Sequence, residues 1–332
     1  MDAPPSKPLT SLRVAVVGYG SIGRRHCDNL GRLGVTRRIV VRRPNGANPA
    51  FVPPIDAAVV HSSQAALDTG LDLAIVCNPT SQHVETALEF VAEGVGVLVE
   101  KPISNDLRNA ELLATETLRR RVWAAMAYSL RYHPAYRLAR EALLAGRIGR
   151  VAYAKAWFEG YLPAWHPWED YRDSYAARRD LGGGALPTLD HDLDFMNWCL
   201  GRPLTSVGLS ANSGTLATDA DDVALVTARY PSGVIANAVF SLCRREASRG
   251  FELIGSQATL RMEFESARLQ LLLGSDQHAE VLWHRADYDL NEMYLEMLRD
   301  VLAAFAAGLP PPVPLQAGVD ALRVAIGHCE KP

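Results

Sequence analysis

Gly18, Gly20 and Gly23 stand in the spacing G-x-G-x-x-G, directly after the apolar run Arg13–Val17 and ahead of a helical pattern. A dinucleotide pyrophosphate needs backbone N–H donors at a helix N-terminus and no side chain in the way. Gly18 would allow the tight turn, Gly20 the approach of backbone to phosphate, and Gly23 close packing of helix on strand, with Ser21 and Ile22 lending N–H groups. About 20 residues beyond such glycines an acidic residue is expected on the ribose 2′-hydroxyl of NAD. This chain offers Arg42-Arg43-Pro44 instead. Two guanidiniums suit a 2′-phosphate, so the expectation is NADP(H) in preference to NAD(H).

Two further stretches could carry a reaction. Val97-Leu98-Val99-Glu100-Lys101-Pro102 runs a strand into a lysine. The carboxyl ends of strands are where open α/β sheets bind ligands, and a cation there can hold or polarise a substrate oxygen. Gly182-Gly183-Gly184 leads through Thr188 to Asp190-His191-Asp192-Leu193-Asp194. A histidine can take the proton of a secondary alcohol as hydride leaves its carbon. The same cluster also reads as a salt-bridged helix surface or a metal pair. Between these stretches, Tyr161, Trp165, His166, Trp168, Tyr171, Arg172, Tyr175, Arg178 and Arg179 crowd into one segment. Aromatic faces suit sugar rings and arginines suit phosphate or carboxylate, whereas an aromatic core or subunit contact explains the same composition.

The elements that must position these residues follow from periodicity. Strands are expected at Arg13–Val17, 38–41, 71–77, 95–99 and 122–127. Helices alternate with them: one to about Leu33, one with Val84, Ala87, Leu88 and Val91 capped by Thr80 or Ser81, and one capped by Ser104 with Leu107, Ala110, Ala114 and Leu118 on a face. Alternation of this kind argues for a parallel sheet covered on both sides. After Arg131 the pattern changes. A linking helix at 132–146 precedes strands at 222–230, 234–243, 251–254, 259–264 and 268–273, a meander expected to form an antiparallel sheet. A late helix carries Tyr294, Met297, Leu298, Val301, Leu302 and Phe305 on one face, and a final helix spans roughly 316–328.

Length and composition bound the rest. The chain has 332 residues, long for one core and comfortable for two domains. The expected division is 1–128 and 129–332, with helix 316–328 returning to the first domain. A net charge of -3 gives no pull toward nucleic acid or an anionic membrane. The five cysteines form no C-x-x-C pair, which points away from zinc and from a disulfide framework and toward a reducing, cytoplasmic setting. Met1 to Thr10 holds three prolines and no apolar segment, so it reads as a loose tail rather than a signal peptide. No apolar run approaches the roughly 18 residues of a membrane span.

Together the motifs resemble the glucose–fructose oxidoreductase / inositol dehydrogenase (Gfo/Idh/MocA) family. The resemblance rests on Val16-Val17-Gly18-Tyr19-Gly20-Ser21-Ile22-Gly23, Asn78-Pro79-Thr80 with His83, Glu100-Lys101-Pro102, Tyr128-Ser129-Leu130-Arg131-Tyr132-His133-Pro134, and the triple glycine with His191, in that order. It implies an α/β Rossmann domain joined to an α+β domain with a large open antiparallel sheet. It also implies hydride transfer between nicotinamide and a secondary alcohol or ketone of a sugar, nucleotide sugar or polyol. The catalytic lysine and histidine map to Lys101 and His191, which the family topology would bring beside the nicotinamide. Cofactor contacts are expected from the glycine loop, Arg42, Arg43, Asn78, Pro79, Thr80, His83, Glu100, Lys101 and Arg131. Substrate contacts are expected from Tyr161, Trp165, Tyr171, Arg172, Tyr175, Asp194 and Tyr294, and assembly as a homodimer or homotetramer.

One departure stands out. Thr188 occupies the place where the family often has an aspartate, so either Asp190 supplies the missing carboxylate or the third catalytic group is absent. That keeps a non-catalytic cofactor-binding paralogue or regulator open. A redox-assisted lyase or glycosidase that retains its cofactor is the other alternative.

Overall fold

The computed structural model describes residues 7–42, 51–166, 168–274 and 278–327. The chain divides into two compact units, one of residues 1–129 with 293–319 and one of residues 130–292 with 320–332.

The first unit is built on a six-stranded sheet. Its strands are β1 (Arg13–Val17), β2 (Arg37–Val41), β3 (Ala58–Val60), β4 (Leu73–Val76), β5 (Gly96–Val99) and β6 (Ala124–Met126), in the order β3-β2-β1-β4-β5-β6. Every pairing is parallel. Apart from Arg13 at the start of β1, the central strands β1, β4 and β5 hold no polar side chain and are buried, as a sheet covered on both faces requires. The covering helices are α1 (Ser21–Arg32), the short α2 (Ser63–Leu67), α3 (His83–Ala92), α4 (Leu107–Arg120) and α8 (Asn291–Ala306). Order reverses on either side of β1 and β4, which makes the carboxyl ends of these two strands the switch point where such sheets bind ligands.

Several local expectations shift. The α3 helix begins at His83, after a 3-10 turn at Thr80–Gln82. Asp106, not Ser104, caps α4 by accepting from Asn109 N at 2.9 Å. The buried stripe of α4 is Ala110, Leu113 and Thr117, and Leu118 is 80% exposed. The late helix α8 belongs to the first unit: a methyl placed on Gly96 of β5 would stand 2.6 Å from Phe305. The stretch after α8 runs beside β6, with Met126 N donating to Val313 O. The described part of the N-terminus is tied down, because Lys7 N donates to Ala306 O and its ammonium pairs with Asp72.

The second unit holds an eight-stranded sheet. Its strands are β7 (Val151–Tyr161), β8 (Thr205–Ala211), β9 (Val223–Arg229), β10 (Ile235–Ser241), β11 (Cys243–Gly255), β12 (Ala258–Glu263), β13 (Arg268–Leu273) and β14 (His278–His284). They lie in the order β14-β13-β12-β11-β7-β10-β9-β8, antiparallel except for the parallel pair β7–β10. Alternation is clean in β9 and β10, where Ala224, Val226, Ala228, Ala236, Ala238 and Phe240 are buried. Helices α5 (Pro134–Leu144), α6 (Ala185–Thr188) and α7 (His191–Leu200) pack on the sheet. On the outward face Val207, Leu209 and Leu225 are exposed apolar neighbours on β8 and β9, with Leu209 opposite Leu225, and Ile235 of β10 lies exposed opposite Tyr153 of β7. The last helix, α9 (Leu315–Ala325), stops short of the expected 328, and His328 lies outside the described residues.

Candidate functional site

The glycine loop joins β1 to α1. Gly18 has φ +91°, and a methyl on it would strike Asn78 N at 2.6 Å, so the turns after β1 and β4 touch directly. A methyl on Gly23 would fall 2.0 Å from Gly18 O, which presses α1 onto the turn itself as well as onto Val16. Gly20 differs: a methyl there meets nothing within 4 Å. Open space therefore faces the backbone at the start of α1, beside the N–H groups of Ser21, Ile22 and Gly23 that a helix leaves unpaired. That cradle fits a dinucleotide pyrophosphate.

At the end of β2, Arg42 donates to Phe51 O at 3.0 Å, and Arg24 of α1 lies over the Phe51 ring at 4.8 Å. Arg24 was not singled out from the sequence, because a helix arginine gives no motif signal. Arg43 lies outside the described residues.

Around Lys101 the structure gives the neighbouring residues other duties than direct cofactor contact. Glu100 is buried, and its Oε1 accepts from His26 Nε2 at 2.7 Å while its Oε2 accepts from Lys101 N at 3.1 Å. Burial works to raise the carboxyl pKa, but His26 and Lys101 outweigh it and hold Glu100 below the usual carboxylate range. His83 is buried too, with Nδ1 2.7 Å from Pro102 O and Nε2 2.8 Å from Asn78 O. Its ring braces the turns after β4 and β5 and has no edge left for a ligand, a correction to its expected role. Asn78 spends its amide on Thr86 Oγ1 at 2.8 Å, and Thr80 is buried, while Pro79 is half-buried.

Tyr294 also moves. It sits on α8 in the first unit, with Arg25 over its ring at 4.5 Å and His26 edge-on at 6.4 Å. Its expected substrate contact does not follow from that packing.

In the second unit the triple glycine builds a turn no other residue could make. Gly182 and Gly184 have φ +79° and +122°, and a methyl on Gly183 would fall 2.0 Å from Tyr175 O. The turn thereby docks the Tyr171–Leu181 segment against the start of α6. Thr188, Asp190 and His191 follow, all buried, with His191 the first residue of α7.

The acids after His191 are salt-bridged in the interior rather than on a helix surface. Asp192 pairs with Arg249 of β11 at 3.0 Å. Asp194 accepts a bidentate pair of bonds from Arg131, Nε to Oδ2 at 2.8 Å and the terminal nitrogen to Oδ1 at 2.6 Å. Arg131 was expected at the cofactor and Asp194 at the substrate. The structure pairs them with each other, because an unpaired charge on the buried Asp194 would be costly. Arg131 also lies over Trp198 at 5.3 Å.

The aromatic segment is dispersed rather than gathered. Trp165 stacks on Phe158, Tyr161 lies under Arg245, and Tyr171 Oη accepts from Ala217 N at 3.1 Å. Arg172 forms a local ion pair with Asp170, whose pKa falls to about 2 through that bond. Of the expected substrate residues, Tyr175 is the one carried to the glycine turn.

Residues 12–128 match the oxidoreductase family with NAD-binding Rossmann fold, and residues 136–261 match the GFO/IDH/MocA C-terminal domain. Among curated relatives, the myo-inositol dehydrogenase Hyg17 of Streptomyces leeuwenhoekii is 30% identical over 59% of this chain. The 1,5-anhydro-D-fructose reductase of Ensifer adhaerens is 28% identical over 65% of it. The matching stretches span 58% and 64% of those relatives' lengths. Among solved structures, an oxidoreductase domain protein from Kribbella flavida superposes with a TM-score of 0.82 at 20% identity, covering 96% of both chains. With both domains of one family matched in order, and the two sheets matching that fold, the chain belongs to the GFO/IDH/MocA family of NAD-binding oxidoreductases.

Proposed function

We propose that this protein is an NAD(P)-dependent dehydrogenase or reductase acting on a secondary alcohol or ketone of a sugar, nucleotide sugar or polyol. One observation carries the reading: open space before Gly20 at the start of α1, in a parallel sheet whose β5 delivers Lys101 at its carboxyl end. The names of the relatives, an inositol dehydrogenase and an anhydrofructose reductase, support the substrate class.

When bound, an oxidised nicotinamide would accept hydride from the carbinol carbon. Lys101 is assigned to hold and polarise the substrate oxygen. His191 is assigned to take the hydroxyl proton, and in the reverse direction to return it. Asp190, buried beside His191, is the carboxylate nearest in sequence to the position where Thr188 stands. NADP(H) is the proposed preference, supported by Arg42 and the adjacent Arg43. A cytoplasmic homo-oligomer completes the proposal, with the exposed cluster of Val207, Leu209 and Leu225 as the self-association face.

The test is a screen of inositols, free sugars and nucleotide sugars with NADP+ and NAD+, read by nicotinamide absorbance. Turnover with one class, cut about 100-fold or more by Lys101→Met and by His191→Ala, supports the assignment. Full turnover in His191→Ala on that substrate moves the proton step elsewhere. Bound nicotinamide that cycles without net consumption favours the lyase reading.

A further inference from the structure

We propose that the buried pair His26–Glu100 positions Lys101 and keeps its ammonium charged, an inference that rests on the role assigned to Lys101 above. His26 is wholly buried in α1 and Glu100 is 5% exposed at the end of β5. Neither belongs to the glycine loop, and α1 and β5 are far apart in sequence. Their contact at 2.7 Å fixes one carboxylate oxygen. The other oxygen accepts from Lys101 N at 3.1 Å, so the pair grips the lysine's own backbone. On the far side, His83 Nδ1 lies 2.7 Å from Pro102 O. The peptide groups flanking Lys101 are thus held from both sides by buried side chains.

A buried carboxylate is tolerated only when its lone pairs are filled and its charge is answered. Glu100 meets both conditions through His26 and Lys101. The titratable groups around it are His26 of α1, His83 of α3, Cys77 after β4 and Lys101, and Tyr294 of α8 lies edge-on to His26. Of these, Lys101 is the one assigned to the site itself. A fixed anion one residue away favours the charged amine, and loss of that anion would disfavour it. The consequence is a lysine whose position and charge are both set from beneath.

The test uses the full chain, reductively methylated with ¹³C-formaldehyde. Its lysines are Lys7, Lys101, Lys155 and Lys331, few enough to resolve, and Lys101→Arg identifies the signal. In His26→Phe and in Glu100→Gln, the Lys101 titration midpoint should fall by about 0.5 or more on the pH scale, and His26→Gln, which keeps a donor, should restore it. NADPH affinity, read by fluorescence, should change no more than a few-fold. On a turned-over substrate, kcat should drop about 10- to 100-fold with KM little changed, the scale of a hydrogen bond to a charged group. A midpoint equal to wild type in either variant, folded by circular dichroism, overturns the proposal. If the wild type binds neither NADPH nor NADH, the functional reading fails on its own, and the lysine titration still decides the pairing.

Discussion

Arg131 and Asp194 form a buried bidentate ion pair, with N–O distances of 2.8 and 2.6 Å and side-chain exposures of 14% and 2%. It ties the segment after β6 to α7, one turn beyond His191. Even so, burial leaves the Asp194 carboxyl raised above its ordinary value, with Arg131 pulling the other way. Removing one partner strands the other charge. Arg131→Met should therefore destabilise the protein by about 3–5 kcal/mol, while Arg131→Met with Asp194→Leu should recover most of the loss. Urea unfolding of the three proteins checks this, and equal stabilities of single and double variants would show that the pair is not coupled.

The glycines of the loop should separate by role. Gly20→Val should keep the fold and abolish NADPH binding, since its side chain would enter open space that the phosphates need. Gly23→Ala should instead lower the melting temperature, because its methyl meets Gly18 O at 2.0 Å. Melting curves and fluorescence titration of both variants measure the contrast. Retained NADPH affinity in a folded Gly20→Val would remove the loop from cofactor binding.

Cofactor preference is expected to rest on Arg42. NADPH should bind more tightly than NADH, and Arg42→Ala should erase most of the difference without touching NADH affinity. Its present bond to Phe51 O is one that a 2′-phosphate could replace. Equal affinities for the two cofactors in the wild type would end the idea.

His133 makes stability depend on pH. Burial, with Arg249 adding to it, pushes its pKa down to about 3. The folded state therefore binds fewer protons than the unfolded chain below the ordinary histidine value. This contribution to stability is complete above about pH 6.5 and is lost as pH falls toward 3. The ring packs among Tyr136, Phe264, Trp283 and Tyr288, and its Nδ1 accepts from Ala135 N. Compared with wild type, His133→Asn should show a shallower fall in melting temperature between pH 6.5 and 4, while retaining a capping oxygen for α5. A parallel pH dependence in both proteins would assign the acid sensitivity elsewhere.

The apolar cluster on β8 and β9 should govern assembly. Leu209 and Leu225 are 71% and 49% exposed on neighbouring strands. Replacing both with lysine should shift the protein to monomer in light scattering with its melting temperature little changed. An unchanged molar mass would place any interface elsewhere.

The alternation of apolar runs with helical repeats determined the parallel sheet, and the glycine spacing determined where α1 begins, because those features are local and their period is set by the backbone. The Glu-Lys-Pro and glycine–histidine motifs likewise marked the two stretches from which a site could be built. Short or weakly patterned edges escaped: β3 has three residues, and β8 and β14 lie at the ends of their sheet, where burial imposes little alternation. The stripe on α4 was misjudged at Leu118, since a helix face is chosen by what it packs on rather than by its own hydrophobicity. The parallel pairing of β7 with β10 could not be read from a meander pattern that looks the same in either direction. Above all, only the tertiary structure revealed the partners of the charged residues. His26 carried no motif, and Asp194 and Arg131 looked available for ligands. Their hydrogen bonds join residues 74 and 63 positions apart, and burial is what obliges such polar groups to find one another.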